Sequence, residues 1–478
     1  MYIPSTLALA LFRLLLFSSA RAYVLIGEGF DAPDSGGNHT AAIDMSNDGK
    51  YISVGSPHAG TDDQGQVKVY KSMEKDGQII WEQVGNTILR NQKFAHFGIS
   101  VSLSYDAKRL VVGSIVDHVD SDKKGSISIF RYVEAQNKWK WIQSFNGEPN
   151  EELGAKVEIS ANGNKVAAKG NGFVQVYKCF DDNSCVENGS RISIPDTIVK
   201  TIALAAGGQS LVIGAYDDNP EINSPAGKAM AYIFDKANKK WVLKSTFEGS
   251  DSSRTGYSVS ISQVDEEITV AVGAPRFKCD LGDINCGKVR FFSSENRGET
   301  FSESSESIQG TLNNFVGLST NLSANGDVVI LSSLIDMEIV FKIYSKISGA
   351  WNLDQEIVST LFASSFKNAV DGKLDFNGQR AIIVSPGLTD VTNAVKVFGS
   401  SVAGAPSGAP SAVKPSISIA PSVAMASTQP TEAAGDATSG KGSKGSKGSK
   451  GSKGSKGSKG SKGSKGSKGS KGSKGKKH

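Results

Sequence analysis

Long apolar runs are scarce in this chain of 478 residues, and so are histidine and cysteine, with five and four copies. Beyond the first two dozen residues no stretch approaches the ~20 apolar residues that a membrane helix needs, so a helical span is excluded. There is no Gly-x-Ser-x-Gly elbow, no His-Glu-x-x-His and no phosphate-binding P-loop, and His39, His58, His96, His118 and His478 lie apart in sequence. The hydrolase, zinc-protease and nucleotide-binding classes that these patterns carry are therefore without support. The expectation is a chain with no catalytic residue, no cofactor and no metal.

The four cysteines fall into two local pairs, Cys179 with Cys185 and Cys279 with Cys286. Neither pair has the spacing of a metal site, and no histidine stands in a motif with them, so two disulfides are expected. The N-terminus supplies the redox context. An apolar run from Leu7 to Phe17, interrupted only by Arg13, ends in Ala20-Arg21-Ala22. This reads as a secretory signal over residues 1–22 with a small-residue cleavage site. An exported, soluble, extracellular protein follows, with sequons expected to be glycosylated at Asn38 and Asn188. A third sequon, Asn321, is expected to stay bare because it falls in a channel-side strand.

What the chain has in plenty is repetition. The unit is plainest at Phe97-Gly98-Ile99-Ser100-Val101-Ser102-Leu103, then a polar turn at Asp106-Ala107, then Leu110-Val111-Val112-Gly113, and later Gly125-Ser126-Ile127-Ser128-Ile129-Phe130. Alternating strand, tight turn, apolar strand, loop and second alternating strand specify an antiparallel sheet rather than a helix. Two-residue turns are expected at Asp48-Gly49, Asp106-Ala107, Asn162-Gly163, Gly207-Gly208, Glu266-Glu267, Asn325-Gly326 and Asn377-Gly378, mostly types that accept a positive φ. Six residues after each stand Gly55, Gly113, Lys169, Gly214, Gly273, Ser332 and Val384, spaced by 45 to 59 residues, a period that belongs to propellers and solenoids. Every copy then carries an apolar-aromatic pair: Val69-Tyr70, Ile129-Phe130, Val176-Tyr177, Ile233-Phe234, Phe291-Phe292, Ile343-Tyr344 and Val397-Phe398.

The fold class is therefore all-β, a seven-bladed β-propeller of four-stranded blades over residues 23–399. A fourth strand begins near tryptophan in four copies, at Trp81, at Trp139 with Trp141, at Trp241 and at Trp351. These are assigned to packing between neighbouring sheets rather than to sugar stacking. The seventh copy stops at Gly399 without a fourth strand, and the orphan segment Tyr23 to Gly27 is expected to supply it, closing the ring and removing exposed edges.

Phe97-Gly98 and Gly273-Ala274-Pro275, with Ser56-Pro57 and Ser385-Pro386 in the place of Ala-Pro, resemble the FG-GAP repeat of integrin-alpha-type propellers. The resemblance covers residues 23–399 and implies adhesion or ligand binding through loops. One departure matters. The calcium loop that such hairpins carry in integrin alpha chains is absent, so calcium-dependent adhesion of that type is not expected.

The loops after the second strands carry acids, Asp62, Asp63, Asp117, Asp120, Asp122, Asp217, Asp218, Glu221, Asp280 and Asp283, a possible acidic ligand face on one end of the ring. The competing reading is ordinary polar surface. Residues 400–439 turn to Pro, Ser, Ala and Gly, an extended linker. Residues 440–478 repeat Lys-Gly-Ser, with Lys441, Lys444, Lys447, Lys450, Lys453, Lys456, Lys459, Lys462, Lys465, Lys468, Lys471, Lys474, Lys476 and Lys477 and no acid. A net charge of +5 thus hides a division, because the rest of the chain has 39 basic against 48 acidic residues, a balance near −9.

Such a tail cannot bury a core and is expected to be disordered, a flexible polycation suited to polyanions. It resembles the Ser-Lys-Gly segments of silaffins, which implies an anionic wall matrix or silica as partner; export argues against nucleic acid. The expected function is a secreted, cell-wall-associated, non-catalytic binding or adhesion protein. The alternative is a secreted hydrolase of wall polysaccharide, marked by two buried acids about 5 to 9 Å apart in the channel mouth.

Overall fold

The computed structural model describes residues 21–29, 42–90, 92–115, 123–195, 197–216, 226–279, 285–336, 338–362, 371–384 and 395–401. These residues form seven antiparallel sheets and one short 3-10 turn, Glu134–Gln136. The innermost strands, one per blade, are Ala42–Met45, Ser100–Leu103, Lys156–Ile159, Ile198–Leu204, Ser258–Val264, Ser319–Leu322 and Asp371–Leu374, and they number blades 1 to 7. In blades 1 and 3 the outermost strand is broken, so that Ile88–Leu89 and Ile192–Ser193 pair with the third strand as separate pieces.

The apolar-aromatic pair explains how blades stack. Successive strand residues point to opposite faces, so each pair sends one side chain to each neighbouring blade. Val69 enters the cluster shared by blades 1 and 2 while Tyr70 packs in the one shared by blades 7 and 1. Ile129 faces blade 3 and Phe130 faces blade 1. The same division holds at Val176-Tyr177, Ile233-Phe234, Phe291-Phe292, Ile343-Tyr344 and Val397-Phe398. Seven hydrophobic clusters result, one at every blade junction.

Close backbone approach accounts for the glycines of the repeat. A Cβ on Gly113 would lie 1.9 Å from the Gly154 carbonyl oxygen of the next blade, and one on Gly55 would lie 2.2 Å from the Gly98 oxygen. The same pairing recurs at Gly214 with Gly256 and at Gly273 with Gly317. Phe-Gly and the second-strand glycine are thus two halves of one inter-blade contact. Beside it a parallel bridge joins Gly65 to Phe97, Gly125 to Leu153, Gly227 to Thr255 and Gly287 to Val316.

The inner turns differ from expectation. In six blades the hairpin loop has four residues, closed by bonds such as Ser46 N–H to Tyr51 O at 2.9 Å and Ser104 N–H to Arg109 O at 2.9 Å. A serine organises four of them. Ser46 Oγ donates to Asp48 Oδ1 at 2.7 Å, and the same Oγ accepts Tyr51 N–H at 2.9 Å; Ser104 with Asp106, Ser160 with Asn162 and Ser323 with Asn325 repeat the arrangement. Only blade 5 has a two-residue turn, at Asp265-Glu266, one residue earlier than expected, because its hairpin runs on to the pair Val264 and Glu267. The four-residue loops also reach sideways. Phe376 N–H donates to Asn47 O, Asn47 N–H to Tyr105 O, Tyr105 N–H to Ala161 O and Ala161 N–H to Ala206 O, all within 3.3 Å. This hydrogen-bonded belt runs along one end of the channel from blade 7 to blade 4 and satisfies backbone groups that no sheet reaches.

The ring closes as the orphan segment requires. Ala22–Leu25 pairs antiparallel with Val395–Ser401 in the register Tyr23 to Ser400, and Ile26 N–H donates to Val397 O at 2.8 Å. The third strand of blade 7 runs to Ser401, two residues past the expected boundary. The expected signal, linker and tail lie outside the described residues, apart from Arg21, Ala22, Ser400 and Ser401. Among the described residues no helix is long and apolar enough to cross a membrane.

Candidate functional site: the axial channel

The innermost strand of each blade has its far edge unpaired, and seven of these edges enclose a cavity of about 380 Å³. Two tiers of side chains line it. Level with the second-strand glycine position are Ala42, Ser100, Lys156, Thr201, Ser258, Ser319 and Asp371. Two residues on are Asp44, Ser102, Glu158, Ala203, Ser260, Asn321 and Lys373.

Most polar members of the second tier staple one inner strand to the next. Asp44 Oδ2 accepts Leu103 N–H at 2.7 Å and Ser102 Oγ–H at 3.1 Å. Ser102 Oγ accepts Ile159 N–H at 3.0 Å, Ser260 Oγ accepts Leu322 N–H at 2.8 Å, and Asn321 Oδ1 accepts Leu374 N–H at 2.9 Å. An edge strand would otherwise leave these N–H groups without a partner from the protein. Asn321 is thus channel-lining and engaged.

Charged side chains from blades 7, 1 and 3 meet across the channel. Glu158 lies 3.5 Å from Lys156 and 3.8 Å from Lys373. Burial alone would lower the Lys373 ammonium, but Glu158, Asp371 and Asp44 together hold it above the ordinary lysine value. Burial, with the charge of Glu158 adding to it, pushes the Asp44 carboxyl up against the opposing pull of Lys373. Tyr105, enclosed at the same end, is also raised, by burial first and then by Asp44 and Glu158. The arrangement is a mixed-charge, polar cavity of small-molecule size whose ionic groups are held by one another.

None of these residues stood among the sequence candidates. In six copies the second-tier residue lies eleven positions before the residue that stands in the second-strand glycine place, so an alignment of the copies identifies the tier. What that alignment does not contain is the meeting of blades 7, 1 and 3 across the axis.

Of the acidic loop residues, Asp62 and Asp63 are described; Asp117, Asp120, Asp122, Asp217, Asp218, Glu221, Asp280 and Asp283 lie outside the described residues. Asp62 pairs with Lys93 at 3.0 Å and Asp63 lies 3.5 Å from His58. Both disulfides form: Cys179–Cys185 bridges two strands of blade 3 and Cys279–Cys286 ties the loop between the second and third strands of blade 5.

Asn188 requires a correction. Its side chain is 8% exposed, its Oδ1 accepts a 2.6 Å bond from Lys165 Nζ, and its Nδ2 is enclosed. In this place, just past the outer strand Cys185–Glu187 of blade 3, the enclosed amide nitrogen leaves no room for a glycan. Asn38 lies outside the described residues.

The tryptophans pack as assigned, with one exception. Trp139 Nε1–H donates to Val84 O at 3.1 Å, Trp241 Nε1–H to Asn188 O at 3.1 Å and Trp81 Nε1–H to Ile26 O at 3.3 Å, each on the preceding blade. Trp351 stacks on Phe291 of blade 5 with centroids 4.6 Å apart. Trp141 departs from the assignment: two residues along the strand it lies on the same face as the buried Trp139, yet it is 63% exposed.

The chain matches no protein-family model and no curated protein. Among solved structures it is similar to the hydrazine synthase of Kuenenia stuttgartiensis, at 12% identity over 77% of this chain and 98% of that one, with a TM-score of 0.47. It is similar to the periplasmic gluconolactonase PpgL of Pseudomonas aeruginosa, at 12% identity over 66% and 85% with a TM-score of 0.46. A third is a putative 6-phosphogluconolactonase of Bacteroides uniformis, at 11% identity over 75% and 95% with a TM-score of 0.44. At such identities none of their activities passes to this chain, and its architecture rests on its own strand pairing: a seven-bladed β-propeller of four-stranded antiparallel blades.

Proposed function

We propose that this is a secreted, non-catalytic binding protein of the FG-GAP-like type, with a rigid propeller presenting ligand-binding loops and a polycationic tail that anchors it to an anionic wall matrix such as silica. The observation that carries this reading is the division of charge, 14 lysines without an acid in residues 441–477 against a balance near −9 elsewhere. Flexible cations at every third residue favour many weak contacts that sum to firm attachment, while an acidic body is repelled from the same anionic surface. Closure of the ring and two disulfides suit a scaffold that works outside the cell.

The hydrolase alternative has one observation in its favour, since Asp44 and Glu158 share the channel and Asp44 is raised. Asp44 accepts two hydrogen bonds and Glu158 pairs with two lysines, contacts that a proton-transferring pair would have to exchange for a substrate, and this weighs toward the binding reading.

The test is adsorption to silica particles across a salt series for the full chain, for the chain ending at residue 439, and for a chain with every tail lysine changed to glutamine. Full-chain binding should be strong at low salt and fall steeply toward 0.1 M and above, where exposed charges are screened over ~10 Å. Equal binding by the truncated or glutamine chains would make the tail a spacer.

A further inference from the structure

Two histidines that are 38 positions apart in sequence meet at the junction of blades 1 and 2. His58 follows the second strand of blade 1, and His96 precedes Phe97-Gly98 of blade 2. Their ring centroids are 4.7 Å apart, and one ligating atom from each of His58, Asp63 and His96 falls within 4.8 Å of the other two. We propose that these three residues form a binding site for a divalent transition-metal cation of the zinc class, with a fourth position open to water or to a donor group of an extracellular ligand.

The donor set fits. Two imidazoles and one carboxylate are the ligand types of open zinc sites, with Zn–N and Zn–O bonds of about 2.0 to 2.2 Å. Donors on a tetrahedron of that size stand about 3.4 Å apart, and His58 Nδ1 already lies 3.5 Å from Asp63 Oδ1. A modest approach of His96 completes the set. Both imidazoles are enclosed, with the His58 side chain 8% exposed and His96 4% exposed, whereas the Asp63 carboxylate is 37% exposed and gives the site its mouth.

The backbone holds the three side chains in place before any ion arrives. Phe94 N–H donates to Asp62 O at 2.7 Å, His96 N–H to Asp63 O at 3.1 Å and Phe97 N–H to Gln64 O at 3.1 Å, so the segments bearing the two histidines are zipped together. Ser114 Oγ–H holds Ala95 O at 2.6 Å. Asp63 and His96 both adopt the left-handed conformation, with φ of 49° and 45°.

The fold does not require histidine for this latch. The residue before the bridge partner is Glu152 at the blade 2–3 junction, Arg254 at 4–5 and Phe315 at 5–6, with φ of 47°, 53° and 46°. The same backbone turn is therefore made with an acid, a base or an aromatic, and among the described residues the paired imidazoles occur at this one junction. Packing alone does not account for placing two polar rings and a carboxylate there.

The test uses the full chain after chelator treatment. Zn²⁺ titration followed by calorimetry and by elemental analysis of the dialysed protein should give one ion per chain, and Co²⁺ should give the intense visible bands of tetrahedral coordination. His58→Gln and His96→Gln should each weaken Zn²⁺ binding at least tenfold and abolish the Co²⁺ bands, Asp63→Asn should weaken binding to a lesser degree, and Lys93→Gln should leave it unchanged. If the histidine variants fold poorly, the wild-type protein still decides, because one equivalent of Zn²⁺ should raise its Tm. A wild-type chain with no saturable one-to-one Zn²⁺ binding, or a His58→Gln/His96→Gln double variant that binds as well as wild type, overturns the proposal.

Discussion

Asp375 shows how a single turn residue sets the response of the protein to pH. It opens the inner hairpin loop of blade 7, where its Oδ1 accepts Gln379 N–H at 2.6 Å. Burial pushes its carboxyl up to about 6, against the opposing pull of its hydrogen bonds and of Arg380 and Arg21. A folded value above the unfolded one, about 3.9, means that the folded state holds the proton more tightly. The stability linked to this group is thus complete below about pH 3.9 and is lost as pH rises through 6. Two units correspond to about 3 kcal/mol. Asp375→Asn keeps the acceptor and removes the titration, so its stability relative to wild type should improve by up to about 3 kcal/mol between pH 4 and pH 7, measured by urea unfolding at each pH. A difference between the two proteins that stays flat over that range would show that Asp375 is more solvated than its enclosure implies. Asp44 is raised in the same sense, but Lys373 opposes it, which makes Asp375 the cleaner probe.

At the scale of the element, the outer strands of blades 1, 2 and 4 attach to the preceding blade through an indole. Trp139 is 3% exposed and bonds Val84 O, while Trp141, two residues on, is 63% exposed and bonds only Ser144 Oγ within its own strand. Trp139→Ala should cost about 3 to 5 kcal/mol, and Trp139→Phe about 1 to 2, chiefly through the carbonyl left unbonded. Trp141→Ala should stay within about 0.5 kcal/mol. Denaturant unfolding of the three variants measures this ranking, and a costly Trp141→Ala would mean that this exposed indole is covered by a partner. Period-two alternation made legible that the two residues of each apolar-aromatic pair face opposite ways, but not which neighbour each one meets. Loop length was less legible. An Asn-Gly or Asp-Gly signal marks the positive φ but not the number of residues around it, and the serine two positions before Asp48, Asp106, Asn162 and Asn325 is what identifies the four-residue form. The meeting of the charged channel residues and that of the two histidines were not legible for a different reason, since each brings together residues from separate blades.

At the scale of the whole molecule, closure joins residues almost 380 positions apart, and its energy is concentrated in a short N-terminal segment. Tyr23 is 5% exposed in the cluster between blades 6 and 7, its hydroxyl donates to Gly378 O, and burial pushes that hydroxyl up to about 12. Ile26 accepts the Trp81 indole of blade 1 while its N–H bonds Val397 of blade 7, so one residue clasps both sides of the seam. Gly27 adopts φ of 69°, and a Cβ there would stand 2.6 Å from Ile79 O, which fixes the path of the chain across blade 1. Deleting residues 23–30 therefore removes one strand from blade 7, leaves Val395–Ser401 as a bare edge and strips Trp81 of its acceptor. An unpaired edge of this kind templates pairing with another chain. The truncated protein should melt at lower temperature and form concentration-dependent oligomers, read by light scattering after size exclusion. Tyr23→Ala alone, which keeps the strand, should lower the melting temperature without aggregation. A deletion variant that remains monomeric with an unchanged melting temperature would show that the three remaining strands of blade 7 close the ring by packing alone, and that the pairing of Ala22–Leu25 contributes little to holding it shut.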